Sequence, residues 1–146
     1  MSPGIKLGDT EIRFISLFES ITGAVARDCV LDDSEERIIF VVKPGNIGLA
    51  IGKSGINIRR VREFLNKKAI DVVEYAEKPE AFITNTLSPA KIQTITITER
   101  RDGRKIALVT VDTKDRGIAI GKNGRNVARA KLLAKRHFDI DDVIIS

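Results

Sequence analysis

Shifting the 146-residue sequence by 69 positions superposes Gly52-Lys53-Ser54-Gly55 on Gly121-Lys122-Asn123-Gly124. Gly48 then meets Gly117, Ala50 meets Ala119, Ile51 meets Ile120, Asn57 meets Asn126 and Arg60 meets Arg129. Eight of the thirteen residues from 48 to 60 are identical. A self-match at a fixed period marks one structural unit used twice, so the chain reads as two units, 1–76 and 77–146, in preference to one medium domain. Units this small bury a marginal core on their own. With only Ala76-Glu77-Lys78 between them, they are expected to pack together as a rigid pair.

Hydrophobic spacing places the same elements in the same order in each unit. In the first, Ile12, Ile15, Phe18 and Ile21 recur at helical spacing from about Thr10 to Ile21, with Asp9 or Thr10 as cap and Gly23 as stop. Residues 1–8 form a loose lead. Val25–Leu31 and Arg37–Lys43 read as strands around an acidic turn, and Pro44-Gly45 ends the second. A short helix, Asn46–Ile51, enters the glycine loop. A longer helix leaves it, from Ile56 to about Lys68, with Ile58, Val61 and Leu65 as its buried stripe and Arg59, Arg62 and Asn66 off it. Ile70–Tyr75 is the third strand. In the second unit Pro79–Leu87 is the opening helix, with proline at a first helical position. Ile92–Arg100 and Lys105–Val111 are strands joined through Asp102-Gly103, a strong hairpin turn. Arg116–Ile120 and Arg125–Phe138 are the helices around the second loop, and Asp142–Ile145 is the last strand.

Composition removes several classes of function. The longest apolar run, Ile38 to Val42, is far too short to cross a bilayer, and residues 1–10 carry no signal-peptide pattern. A cytoplasmic location without membrane contact is therefore expected. One cysteine and one histidine build neither a disulfide nor a metal cluster. Cys29, within a strand, reads as a small core residue, and His137 as a solvated or helix-terminal one. There are no paired carboxylates near a plausible cleft and no Ser/His/Asp set, so neither an enzyme, a cofactor nor a small-molecule substrate is expected. The net charge of +5 is uneven: residues 1–76 hold 11 basic and 11 acidic side chains, residues 77–146 hold 14 and 9. A basic second unit points weakly to a polyanionic partner.

The repeated loops carry the sharper signal. Gly-x-x-Gly between two helices lets the backbone approach another molecule without side-chain interference. The following helix starts there, so its free N–H groups and positive dipole end face whatever docks. A lysine at the tip adds a full charge, and the set suits a phosphate. Ile47, Ile51, Ile56 and Ile58 could wall a groove beside the first loop. A nucleotide-binding P-loop is excluded: it needs a glycine five positions before the Gly-Lys pair and a hydroxyl after the lysine. Position 47 is isoleucine and position 123 is asparagine. A P-loop also follows a strand, whereas this loop follows a helix.

In their settings the loops, Ile51-Gly52-Lys53-Ser54-Gly55-Ile56-Asn57-Ile58 and Ile120-Gly121-Lys122-Asn123-Gly124-Arg125-Asn126-Val127, resemble those of the KH domain. A helix and two strands before the loop match the type II arrangement. The tandem, with Phe82-Ile83-x-Asn85-x-Leu87-Ser88-Pro89-Ala90 opening the second unit, resembles the NusA family of transcription factors in its short archaeal form. The resemblance spans roughly residues 10–146. It implies an α+β fold of two tandem type II KH domains, each a three-stranded sheet packed with three helices. It also implies binding of single-stranded RNA by both units, in transcription termination or antitermination; a monomer is expected. The clamp residues carried over are Gly52, Lys53, Ser54 and Gly55, then Gly121, Lys122, Asn123 and Gly124. Arg59, Arg62, Arg125 and Arg129 are candidate phosphate contacts beside them, and Ile120 and Val127 complete the aliphatic groove. With no tryptophan and one tyrosine, the chain is expected to lack aromatic stacking platforms. RNA polymerase is a second candidate partner. Bacterial members bear a polymerase-binding and an S1 domain ahead of the KH pair, and nothing here corresponds to them, so that contact is not carried over. Alternatives are a ribosome-associated KH protein, which the duplication disfavours, and a polymerase-binding adaptor.

The two copies differ at one hairpin tip. At the 69-residue shift Asp32 meets Arg101, Glu35 meets Arg104 and Glu36 meets Lys105. The basic tip is a candidate extension of the RNA path.

Overall fold

Each unit turns one alternation of apolar periods into one sheet covered by helices. The structure, a computed structural model, describes residues 5–66 and 69–146. The chain divides into two compact units, Lys6–Tyr75 and Ala76–Ser146. Unit one runs α1 (Asp9–Thr22), β1 (Ala26–Asp32), β2 (Arg37–Val42), α2 (Ile47–Ile51), α3 (Ile56–Leu65) and β3 (Ala69–Glu74). Unit two repeats this as α4 (Pro79–Thr86), β4 (Ile92–Glu99), β5 (Lys105–Val111), α5 (Arg116–Ile120), α6 (Arg125–Phe138) and β6 (Asp142–Ile145). The first four described residues of the expected lead (5–8) precede α1 without helix or strand; residues 1–4 lie outside the described residues.

Both sheets follow one plan, β1-β2-β3 and β4-β5-β6. The first pair is an antiparallel hairpin and the third strand lies parallel to the second. A parallel neighbour requires a crossover, and the two helices flanking the glycine loop supply it. That requirement fixes the loop at one end of each sheet. The middle strand β2 is buried at all positions, which is why it reads as a continuous apolar run instead of an alternating one.

The core of unit one is built on Phe18 stacked against Phe40, ring centroids 4.2 Å apart, with Val61 of α3 and Ala50 of α2 in the same cluster. Cys29 belongs to it. The inner stripe of α1 differs from the expected one: Phe14 packs on the core, whereas Ile12 faces solvent. At 100° per residue Ile12 falls well round the helix from Phe18, and Phe14 falls beside it. Helix α3 stops at Leu65, because Asn66 adopts the left-handed conformation (φ 53°) and its N–H bonds to the Arg62 and Glu63 carbonyls. The expected continuation through Lys67 and Lys68 lies outside the described residues.

In unit two, Ala130 and Ala134 of α6 pack with Ile83, Val109 and Val143. Ile92, Ile95 and Ile97 of β4 all pack on this core despite uneven spacing. The register shift between Ile92 and Thr94 accounts for it: one extra residue moves the following side chains to the other face. His137 is a correction. It lies in the last turn of α6 but is buried, edge-on to Phe82 at 5.2 Å between centroids. Nearby, Asp139 and then Asp141 hydrogen-bond the exposed Lys135 ammonium and raise its pKa; the Lys135 hydrogen bond holds the Asp141 carboxyl down.

Arg37 begins β2 with its side chain fully buried. Its Nε donates to Asp32 (2.8 Å) and Nη1 to Asp71 (3.2 Å), tying the three strands together. Burial pushes the Asp32 carboxyl up, but hydrogen bonds from Arg37 and Ser34 and the guanidinium charge outweigh it, leaving the carboxyl below its usual 3.8. A carboxylate held below its unfolded value adds stability that is complete above about pH 4 and is lost as pH falls through the folded value. Asp32→Asn is thus expected to cost about 1–3 kcal/mol at neutral pH. The gap from wild type should close in acid. Denaturant unfolding at both conditions reads the difference.

Candidate nucleic-acid interface

The two glycine loops are nearly superposable in their dihedral angles. Gly52 and Gly121 have φ 77° and 79° with ψ 168° in both; Ser54 and Asn123 share φ 56°, ψ 27°; Gly55 and Gly124 have φ 74° and 76°. A positive φ with extended ψ is essentially open to glycine alone. The left-handed middle position suits asparagine better than serine. One short turn, Lys53–Gly55 or Lys122–Gly124, bridges the helices, closed by the Gly55 N–H to Gly52 carbonyl bond and its Gly124 to Gly121 counterpart, each 3.1 Å.

An asparagine locks each loop from behind. Asn57 Nδ2 donates to the Leu49 carbonyl and Asn126 Nδ2 to the Ile118 carbonyl, both at 2.8 Å. The helix after the loop is thereby bound to the helix before it. A Cβ on Gly52 would sit 2.7 Å from Asn57 Cγ and 2.9 Å from its backbone nitrogen, and one on Gly121 meets Asn126 as closely. The first glycine therefore answers to close approach as well as to dihedral angle. The identity of Asn57 and Asn126 at the repeat shift was the sequence signal for this role.

Lys53 and Lys122 are exposed, with no hydrogen bond or ion pair among the described residues. Behind them α3 and α6 begin without a side-chain cap, so first-turn N–H groups remain to be satisfied by solvent or ligand. Arg59 Nη2 donates to the Ser54 carbonyl (3.1 Å), holding the first loop from the outside. Arg62 is exposed and Arg125 half-buried. Arg129 is not available: it is 9% exposed, and its Nε (3.1 Å) and Nη2 (2.7 Å) both donate to the Thr86 carbonyl at the end of α4. It is a staple between helices, not a phosphate contact.

Among the groove candidates, Ile51 and Ile56 are exposed; Ile47 and Ile58 pack partly on the core; Ile120 and Val127 are half-buried. Two residues absent from the sequence reading join them. Leu49 is 52% exposed and Ile118 is 43% exposed. They are counterparts at the repeat shift, set between the matched glycine and alanine, and carry the carbonyls that the asparagines hold. Both units thus present an aliphatic surface before the loop.

The hairpin tips differ as their charges imply. Arg100, Arg101 and Arg104 are exposed around a turn closed by the Arg100 N–H to Arg104 carbonyl bond (2.7 Å). The tip of unit one is a single 3-10 turn, Asp33–Glu35, whose neighbour Asp32 is occupied by Arg37. No cluster of metal-ligating side chains occurs among the described residues, and no helix there is long and apolar enough to cross a membrane.

Known proteins place these features. The model of the KH domain matches residues 12–75, and that of the NusA-like second KH domain matches residues 79–145. The probable transcription termination protein NusA of Halococcus morrhuae is 42% identical over 139 residues, covering 95% of this chain and 96% of its own. Its namesake in Methanocaldococcus jannaschii is 35% identical over 140 residues, covering 95% and 74%. The crystal structure of APE1850 superposes with a TM-score of 0.86 at 41% identity, covering 96% of this chain and 100% of the other.

Proposed function

Since the chain belongs to the NusA-like family of tandem KH proteins, we propose that it binds single-stranded RNA through both glycine loops and acts in transcription termination. The termination role rests on the names its relatives bear. The RNA role rests on one observation above the others: two loops of equal geometry, each with an exposed lysine at the tip that has no partner among the described residues, and a helix behind it without a side-chain cap. Such a corner offers a full positive charge and main-chain donors to one phosphate group. The exposed aliphatic side chains beside the loops, Leu49, Ile51 and Ile56 in unit one and Ile118 in unit two, with Ile120 and Val127 half-buried next to it, offer apolar contact to a base. Arg59, Arg62 and Arg125 flank the path, and Ser54 and Asn123 lie within the clamp itself.

Backbone contacts position an RNA without specifying its sequence. Log affinity for short single-stranded RNA should therefore fall against log salt with a slope of roughly −3 if some four phosphates are neutralised, at about −0.7 each. Filter binding or fluorescence anisotropy across a salt series measures it. Salt-independent binding, or equal affinity for any polyanion including heparin, would sink the proposal. Changing Arg100, Arg101, Arg104 and Lys105 to glutamine together is expected to weaken binding about tenfold and flatten the slope by about 1–2. An unaltered affinity would confine the RNA to the loops.

A further inference from the structure

Of the six phenylalanines, Phe18, Phe40 and Phe82 are fully buried and Phe14 and Phe138 half-buried; Phe64 is 68% exposed. It lines a shallow cleft of about 500 Å³ with Ser20 and Ile21 of α1 and with Arg60 and Glu63 of its own helix. An apolar ring left in water forfeits its burial energy. The expectation of no aromatic stacking platform rests on the absence of tryptophan and the single tyrosine and leaves this exposed phenylalanine out of account.

Its surroundings indicate what the ring serves. Ile56, Arg60 and Phe64 follow one another at four-residue intervals, so they form one slowly turning stripe on the exposed side of α3. The stripe starts at the glycine loop and reaches Phe64 about 12 Å along the helix axis from Ile56. Arg60 is exposed and has no hydrogen bond or ion pair among the described residues. The second unit uses the same positions in the opposite way. Arg129, the counterpart of Arg60, is bound to the Thr86 carbonyl, and Leu133, the counterpart of Phe64, is fully buried. At these positions, among the described residues, unit one keeps a cation and an aromatic ring side by side and exposed.

We propose that Phe64 and Arg60 form a nucleotide subsite on unit one, the ring stacking a base of the RNA strand and the guanidinium taking the adjoining phosphate. This rests on the RNA-binding reading of the loops and extends it by naming where the strand goes on leaving Ile56. An aromatic face stacks any base, purines more strongly through their larger surface, and a neighbouring arginine adds phosphate and π contacts. Glu63, on the same cleft, is an acceptor for a base amino or imino group and repels phosphate. It thus sets base and phosphate on different sides of the cleft.

The chain has no tryptophan, so Phe64→Trp introduces a single reporter at the subsite. Oligoadenylate is expected to quench its emission, and Phe64→Ala to bind oligoadenylate roughly five- to a hundredfold more weakly, the range of one base stack. Phe64→Leu should behave like the alanine variant, and Phe64→Trp should retain binding. Arg60→Gln should lower affinity and reduce the salt slope by about 0.7. Because both side chains are exposed, an unchanged melting temperature is expected and separates lost stacking from lost folding. RNA binding that depends on Lys53 and Lys122 but is indifferent to Phe64, with no quenching, would overturn the subsite and leave the loop reading standing. Failure of the wild-type chain to bind RNA would overturn both. Recovery of a protein partner through Phe64 without RNA dependence would also overturn it.

Discussion

Reversing the charge at both loop tips, Lys53→Asp with Lys122→Asp, is expected to abolish RNA binding at moderate salt while leaving the fold intact. Each lysine is exposed and unpartnered among the described residues, so its removal opens no cavity and breaks no ion pair. A charge-assisted hydrogen bond contributes about 1.5–3 kcal/mol, and the introduced carboxylate repels the phosphate in its place. Each single variant should therefore lose about tenfold to a hundredfold in affinity. The double variant should lose at least the product, since each unit carries a complete loop. The loss should be similar for RNAs of different sequence, because the contact is to the backbone. Anisotropy titrations of the three variants, with thermal melts as control, test this. Retention of affinity in the double variant would remove the loops from the interface.

The second large effect concerns stability. Arg129→Ala is expected to destabilise unit two by about 2–4 kcal/mol, since it removes two hydrogen bonds and leaves the Thr86 carbonyl buried without them. For a unit this small that lowers the melting temperature by roughly 10–20 °C. Arg129→Lys should recover only part of the loss, because an ammonium cannot reproduce the fork that places Nε and Nη2 on one carbonyl. Arg60→Ala, at the counterpart position, should stay within about 0.5 kcal/mol of wild type. Equal effects of the two substitutions on melting would mean that Arg129 does no stapling. The pair separates two settings of one arginine: in unit two it holds helices together, and in unit one it is exposed, with no hydrogen bond or ion pair among the described residues.

That contrast also shows where reading from the sequence stops. Arg60 and Arg129 are identical at the repeat shift and follow their loops at equal spacing, so local pattern treats them alike. Their environments diverge because α4 ends at Thr86 within reach of α6, whereas Arg60 lies over Ser20 and Ile21 of the longer α1. The position of Ile12, the burial of His137 and the exposure of Phe64 escape the pattern for the same reason. A stripe at helical spacing says which residues share a face, but not how wide a face the neighbouring element covers.

Much of the architecture was already present in local chemistry. The duplication shows as a self-match along the chain, while the order of six elements in each unit, the middle strand as an unbroken apolar run and the lysine-tipped glycine loops depend on residues within a few positions of one another. Steric limits on φ and ψ and the two periods of 3.6 and 2 act over that range. The partner of Arg129 lies 43 residues away in sequence, and Arg37 bridges 34 residues to Asp71. Which arginine is a staple and which stays exposed was decided only when those distant backbones met, because hydrogen bonding and desolvation depend on what folding brings within about 3 Å.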